Sequence, residues 1–365
     1  MPTRAHTDVV CLGESMVTFV PARSPGAAAP GRLADVSAFE RGIGGAESNV
    51  ACALARSGHA VRWIGRVGAD GFGDHLVEAI AAAGVDTTAV QRDPERPTGV
   101  YFRTAGERAA GPGPDGASGP APGIAEVAYY RAGSAASAMS PSLMPREDLR
   151  SGSILHLSGI TAALSADCLA LMRDLTARTP GRPLVSFDVN HRPALWRGRS
   201  DGPAVLAGLA RGCDLLLVGE DEAEALWGLS GPQAVRQAFP EPDVLVVKQG
   251  AAGATAFARG RRQDADDIAA APALAVDVVA PTGAGDAFAA GFLSATLRGL
   301  PLFQRLRHGH LMAAAVLTVP GDLAAPPDRS DADRLAAADP ATWEGLRLAP
   351  GWTEHHRASA PGTAR

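Results

Sequence analysis

Lysine is almost missing from this chain. Lys248 is the only one among 34 basic residues, and the rest are arginine. We read this as compositional bias of the genome, together with the many Ala, Gly and Pro. Acidic residues number 39, and the resulting net charge of −5 excludes the positive field on which nucleic-acid and membrane-surface binders depend. There are four cysteines, Cys11, Cys52, Cys168 and Cys213, far apart and in no zinc-binding spacing. They read as buried thiols in a reducing compartment. No apolar run is long enough to span a bilayer and the N-terminus carries no signal-peptide pattern, so the expectation is a soluble, cytoplasmic protein. No glycine precedes a Lys-Ser or Lys-Thr pair, and Lys248 is followed by Gln249, which excludes a Walker phosphate loop. HExxH and GxSxG are absent, so zinc protease and serine hydrolase chemistry have no support. Gly42-Ile43-Gly44 lacks the third glycine of a dinucleotide fingerprint. The adjacent His355 and His356 belong to a polar tail and read as solvated.

What is present is a 365-residue chain, 46% hydrophobic, enough for one large α/β domain or two smaller ones. Strand-like runs at Asp8–Leu12, Val61–Val67, Ile154–Leu157, Leu184–Asp188, Leu215–Val218 and Val244–Val247 alternate with helix-like runs. The helical runs are Asn49–Arg56, Phe72–Ala83, Ala166–Ala177, Asp221–Leu226 and Gly283–Leu300. This alternation predicts an α/β fold with a mainly parallel sheet covered by helices on both faces. Ligands in such sheets bind at the carboxyl ends of the strands. Thr98–Arg103 and Val127–Arg131 break the rhythm and read as paired antiparallel strands of a small flap. Between them the Gly/Pro-rich 109–123 reads as a disordered loop.

The most informative segment is Pro281-Thr282-Gly283-Ala284-Gly285-Asp286. An apolar, β-prone run, Ala275–Val279, precedes it, and a long proline-free apolar run follows. The expected sequence is strand, glycine turn, helix start. A helix start offers unpaired N–H groups and partial positive charge, which suits a phosphate. Asp286 in the first turn is placed to take a proton from an attacking hydroxyl, as phosphoryl transfer to an alcohol requires. The plainer reading is an aspartate that complements the helix dipole. Four further segments invite the same double reading. Gly44-Gly45-Ala46-Glu47-Ser48-Asn49 opens a helix, either as a cap or as a close approach for a polar ligand. Tyr129-Tyr130-Arg131 either packs the flap or clamps a carboxylate. Asp188-Val189-Asn190-His191-Arg192 puts polar side chains at a strand end, where they are costly as mere structure. Lys248-Gln249-Gly250 with Gly253 follows another strand and suits a nucleotide.

Together these motifs resemble the ribokinase-like (PfkB) sugar kinases from about Val9 to Pro327, most closely their 2-keto-3-deoxygluconate kinase branch. The segments that carry the closer likeness are Gly44–Asn49, Tyr129–Ser137 and Asp188–Trp196. The resemblance implies a three-layer α/β/α sandwich with a small β-sheet lid. The kinase domain would cover 8–330, with the lid formed by about 15–45 and 98–131, and 331–365 would be a partly mobile C-terminal extension. It implies that Asp286 is the catalytic base and that Gly283, Ala284 and Gly285 form the anion hole. Tyr101, Tyr129, Arg131 and Arg192 would hold an acid sugar, with Gly45 and Asn49 on its other side. Lys248, Gly250, Gly253, Ala284, Gly285 and His310 would contact ATP. Glu222 falls where an indirect Mg2+-organising glutamate is expected. The implied partners are an acid sugar, ATP and a second copy of the chain in a dimer, with neither nucleic acid nor membrane.

Three departures accompany the likeness. Ala280 stands where most of the family has an aspartate that helps bind a monovalent cation, which puts potassium activation in doubt. His310 stands where an asparagine often lies near adenine, and the Gly/Pro enrichment of the 109–123 loop differs from compact relatives. The alternatives are a related kinase for fructose, ribose, 2-ketogluconate or a nucleoside, and a non-catalytic sugar sensor.

Overall fold

The structure, a computed structural model, describes residues 6–22, 32–104, 126–260 and 265–354. The 109–123 loop and the tail beyond 354 lie outside the described residues. The strands of the first half are β1 (Thr7–Leu12), β2 (Met16–Pro21), β3 (Phe39–Gly44), β4 (Val61–Ile64), β5 (Arg66–Gly68), β6 (Gln91–Asp93), β7 (Val100–Arg103) and β8 (Val127–Tyr130). Those of the second half are β9 (Gly152–Ser158), β10 (Leu184–Asp188), β11 (Leu215–Gly219), β12 (Val244–Lys248), β13 (Ala254–Arg259), β14 (Asp266–Ala271), β15 (Ala275–Val276) and β16 (Arg347–Leu348).

The central sheet has the order β14-β13-β12-β11-β10-β9-β1-β4. Every pairing from β12 to β4 is parallel, and β13 and β14 close one edge antiparallel. Near-continuous apolar runs such as Leu215–Val218 suit strands buried on both faces. One face packs against the helices Ala166–Thr176 and Gly202–Gly212, with Met172, Phe187 and Leu206 in the core. The other packs against Ala46–Arg56, Ala284–Leu297 and Leu302–Leu317, around Trp63, Leu54 and Phe292. This is the expected three-layer sandwich. Among the described residues no helix is long and apolar enough to cross a membrane.

A separate four-stranded sheet, β3-β2-β7-β8, forms the lid. Its register pairs Thr18 with Tyr101 and Tyr101 with Tyr129 on one face. Phe19, Phe39 and Phe102 occupy the other face, with Phe19 and Phe102 stacked at 4.7 Å. Period-2 alternation thus divides the lid into a polar face and an aromatic one.

Two expectations are corrected. The run Val61–Val67 is not one strand. Gly65 separates β4 from β5, and a Cβ there would lie 2.6 Å from the Trp63 ring and 2.8 Å from the Gly13 carbonyl oxygen. β5 then leaves to pair with β6. The run Ala275–Val279 yields only the two-residue β15, paired with β16 outside the central sheet. With no further strand beside them, Val278 and Val279 are 58% and 41% exposed. The extension after residue 331 is anchored through Trp343, which is 1% exposed and donates from Nε1 to the Pro272 carbonyl at 3.0 Å.

Candidate active site

Gly283 adopts φ +79° and caps the helix Ala284–Leu297. A Cβ here would meet the Asp322 carbonyl oxygen at 2.6 Å, so both backbone angle and space require glycine. The first helical bond runs from the Ala287 amide to the Gly283 carbonyl at 2.9 Å. Ala284 and Gly285 therefore precede the hydrogen-bonded ladder, at the positive end of the helix. The closest neighbour of a Cβ built on Gly285 is the Lys248 ammonium, at 3.8 Å. An open glycine turn beside a fixed cation fits a phosphate group.

Asp286, one residue on, is held from two sides. Asn49 Nδ2 donates to its Oδ2 at 2.9 Å, and Asn190 Nδ2 donates to its Oδ1 at 3.3 Å. These are the only two asparagines in the chain. Asn49 comes from the first turn of Ala46–Arg56. Asn190 follows β10 with φ +42°, the one positive φ among described non-glycine residues, in a region that asparagine tolerates. With both amide nitrogens donating to Asp286, each Oδ1 is left buried without a partner. Two orphaned acceptors flanking a carboxylate fit a ligand that brings hydroxyl groups.

Behind this pair lies a charged cluster at the strand ends. Lys248 Nζ, ending β12, donates to both Asp188 carboxylate oxygens at 2.9 and 2.7 Å. Glu222 accepts the amides of His191 and Gly219, each at 2.7 Å, and so ties two strand-end loops together. Burial raises the Glu222 pKa against the opposing pull of Lys248. Burial works against the Lys248 ammonium, but the Asp188 and Glu222 carboxylates outweigh it and hold the pKa above the usual lysine value. The ammonium therefore stays charged near neutral pH. Among the described residues no group of three or more His, Cys, Asp or Glu side chains fits a metal ion.

The lid residues are more committed than expected. Tyr101 is 2% exposed and donates its hydroxyl to Asp322 Oδ2 at 2.9 Å. Arg131 pairs through Nη2 with Glu14, whose other oxygen accepts the Ser134 hydroxyl at 2.7 Å. Its Nε remains buried and without a partner. Tyr129 is 39% exposed and packs beside Tyr101 at 5.3 Å. Arg192 is half-buried, with Nη1 3.4 Å from the His191 carbonyl oxygen.

Three of the expected site positions also carry packing duties. The glycines at 44 and 45 are required by the protein around them. A Cβ on Gly44 would meet the Tyr101 hydroxyl at 2.6 Å, and one on Gly45 the Glu14 carbonyl oxygen at 2.3 Å. Gly253, at φ +123°, must be glycine because a Cβ there would lie 2.2 Å from the Ala271 carbonyl oxygen, whereas Gly250, at φ +58°, has an open side. His310 is 7% exposed, lies within 3.1 Å of the Ala271 carbonyl and packs edge-on against Phe288. Burial lowers its pKa to about 4, so it is neutral at physiological pH.

Sequence reasoning missed Glu14, Arg103, Thr282 and Asp322 and assigned Asn190 no role. Glu14 and Asn190 both follow a sheet strand, so the strand-end rule reaches them. Arg103 shares the Tyr101 face of β7 by simple alternation. Asp322 had no local signal, because its partners are distant in sequence.

Residues 6–113 and 120–329 match the pfkB family carbohydrate kinases. The chain belongs to this family, and with its ribokinase-like fold it is a carbohydrate kinase. It is 34% identical to a 2-dehydro-3-deoxygluconokinase of Thermoproteus tenax, over 92% of this chain and 96% of the relative. It is 32% identical to the enzyme of that name from Bacillus subtilis, over 88% and 93%. The crystal structure of a PfkB protein from Polaromonas sp. JS666 is similar, with TM-score 0.72 and 33% identity, covering 91% of this chain and all of that one.

Proposed function

We propose that this kinase transfers the γ-phosphoryl group of ATP to the 6-hydroxyl of 2-keto-3-deoxygluconate. The observation that carries the reading is Asp286, held by two asparagines whose free acceptors await hydroxyl donors, beside a glycine turn faced by Lys248. Asp286 takes the hydroxyl proton as the oxygen attacks the γ-phosphorus in line. The bond to the bridging oxygen breaks, and ADP leaves. The Ala284 and Gly285 amides with Lys248 stabilise the charge on the transferring group. Mg2+ supplies further neutralisation of the phosphates when bound. Both Glu222 oxygens accept amides, so Glu222 would reach the ion through water.

The unpartnered Nε of Arg131 favours an acid sugar, since a buried donor wants an acceptor and a carboxylate supplies one. Arg192 is its companion in the clamp, with Tyr129 lining the same side. One observation favours a second reading, a neutral sugar such as fructose: Glu14 already balances the charge of Arg131. The test is ADP release with Mg-ATP on 2-keto-3-deoxygluconate, 2-keto-3-deoxygalactonate, 2-ketogluconate, fructose, ribose and adenosine, each with and without potassium. Preference for the keto-deoxy acids is expected, and preference for fructose sinks the acid-sugar reading. With Ala280 in place of a carboxylate, potassium should change little. The kinase is read as cytoplasmic. It is also read as a dimer joined through the lid, because Tyr130 at 65% and Phe72 at 40% exposure extend the lid's aromatic face to solvent. Light scattering of the purified protein checks the dimer.

A further inference from the structure

The lid and the phosphate-facing turn are joined by a buried polar knot. Arg103, the last residue of β7, has a side chain only 6% exposed, and that of Asp322 is 4% exposed. Arg103 Nη2 donates to Asp322 Oδ1 at 2.6 Å, and Nη1 donates to the Thr282 hydroxyl at 2.5 Å. The second Asp322 oxygen accepts the Tyr101 hydroxyl at 2.9 Å. Tyr101 and Arg103 sit two residues apart on one face of β7, so a single strand delivers both donors. Thr282 directly precedes Gly283, and the backbone of Asp322 packs on the spot where Gly283 lacks a Cβ. The guanidinium thus holds the two residues that flank Gly283, one through its side chain and one through its backbone position.

We propose that Arg103 is a positioning residue for phosphoryl transfer. Through Thr282 and Asp322 it sets the Gly283 turn, and with it the start of the helix that carries Gly285 and Asp286. A paired guanidinium is suited to this task, because its planar fork fixes two acceptors in one geometry. A lid strand then shapes the phosphate side of the site, whereas the lid's expected duty lies on the sugar side. Small displacements of a reacting group cost large rate factors, so the effect belongs in kcat. The inference rests on reading Gly283–Gly285 as the phosphate-facing turn.

The test compares Thr282→Val, Arg103→Met, Asp322→Leu and the double variant Arg103→Met/Asp322→Leu in the full chain, with Asp286→Asn as control. Readouts are kcat, the KM for the sugar and the melting temperature. Thr282→Val keeps the ion pair and should lower kcat about 3- to 10-fold, with the sugar KM within about threefold. Each single charge removal leaves a buried charge alone and should melt earlier. The neutral double variant should regain most of the melting temperature while kcat stays at least about tenfold down. Full kcat in Thr282→Val, kcat returning with stability in the double variant, or a loss confined to KM overturns the proposal. If Asp286→Asn retains activity, the fault lies in the underlying site reading and not in the knot.

Discussion

The floor of the site and its lid carry similar polar residues in different circumstances. On the floor, Asp188, Lys248 and Glu222 end or follow adjacent parallel strands, and Asn49 and Asn190 brace Asp286 while each keeps a buried acceptor unspent. On the lid, Arg103 and Arg131 are already paired with Asp322 and Glu14, and Tyr101 is spent on Asp322. The floor is preorganised around groups that still lack partners, which is where a substrate gains most by binding. The lid uses most of its polar groups to hold itself against the floor and leaves the Arg131 Nε without a partner. On the proposed reading the floor holds the reacting groups, while the lid steadies the Gly283 turn through Arg103 and meets the sugar through Arg131.

The largest effect should follow from breaking the floor at its centre. Asp286→Asn is expected to lower kcat by about 10²–10⁴ with little change in sugar affinity, read by steady-state kinetics and calorimetric binding. Lys248→Met comes next. It leaves Asp188, 3% exposed, as an unpaired buried charge and should cost about 3–5 kcal/mol of stability in urea unfolding. Because Lys248 is the only lysine, amine acylation followed by peptide mapping reads one side chain, and ATP should slow its labelling.

Glu47 is a further buried carboxylate of the floor. It is wholly buried, accepts from the Ser158 and Thr161 hydroxyls at 2.8 and 3.0 Å and leaves Oε2 unpartnered. Burial raises its pKa to about 7. The folded state thus holds this proton more tightly than the unfolded chain does. Its contribution is fully present below about pH 4.5 and is lost as pH rises to about 7. Glu47→Gln should flatten that fall and gain up to about 3 kcal/mol over the parent at pH 8, measured by unfolding at pH 5 and pH 8. The smallest effect belongs to the lid. Arg131→Ala should weaken acid-sugar binding by about 1.5–3 kcal/mol and leave kcat for fructose untouched. Unchanged affinity would remove the carboxylate clamp and leave specificity to Arg192.

Much of the floor was legible in the chain because its signals are local. The turn at Gly283 and the helix after it follow from two glycines before an apolar run, and Lys248 from its place after an apolar strand. The helix read as Asp221–Leu226 spans Glu220–Trp227, opened by acidic residues that suit its positive end. The failures share another cause. Ala275–Val279 has strand composition but no neighbouring strand to extend it, and strand pairing is not a local property. The burial of His310 was likewise not legible, because it depends on Phe288 and Trp343, one of them in the C-terminal extension.

The amino-acid sequence alone determined the layered α/β architecture and the glycine turn that opens the helix of Asp286, because hydrophobic period, glycine placement and helix-start chemistry act over a few residues. Only the tertiary structure decided which charges are spent and which remain available. Arg103 meets Asp322 across 219 positions and Asn49 meets Asp286 across 237. Such pairings depend on how strands and helices pack, and they leave no periodic trace in the chain.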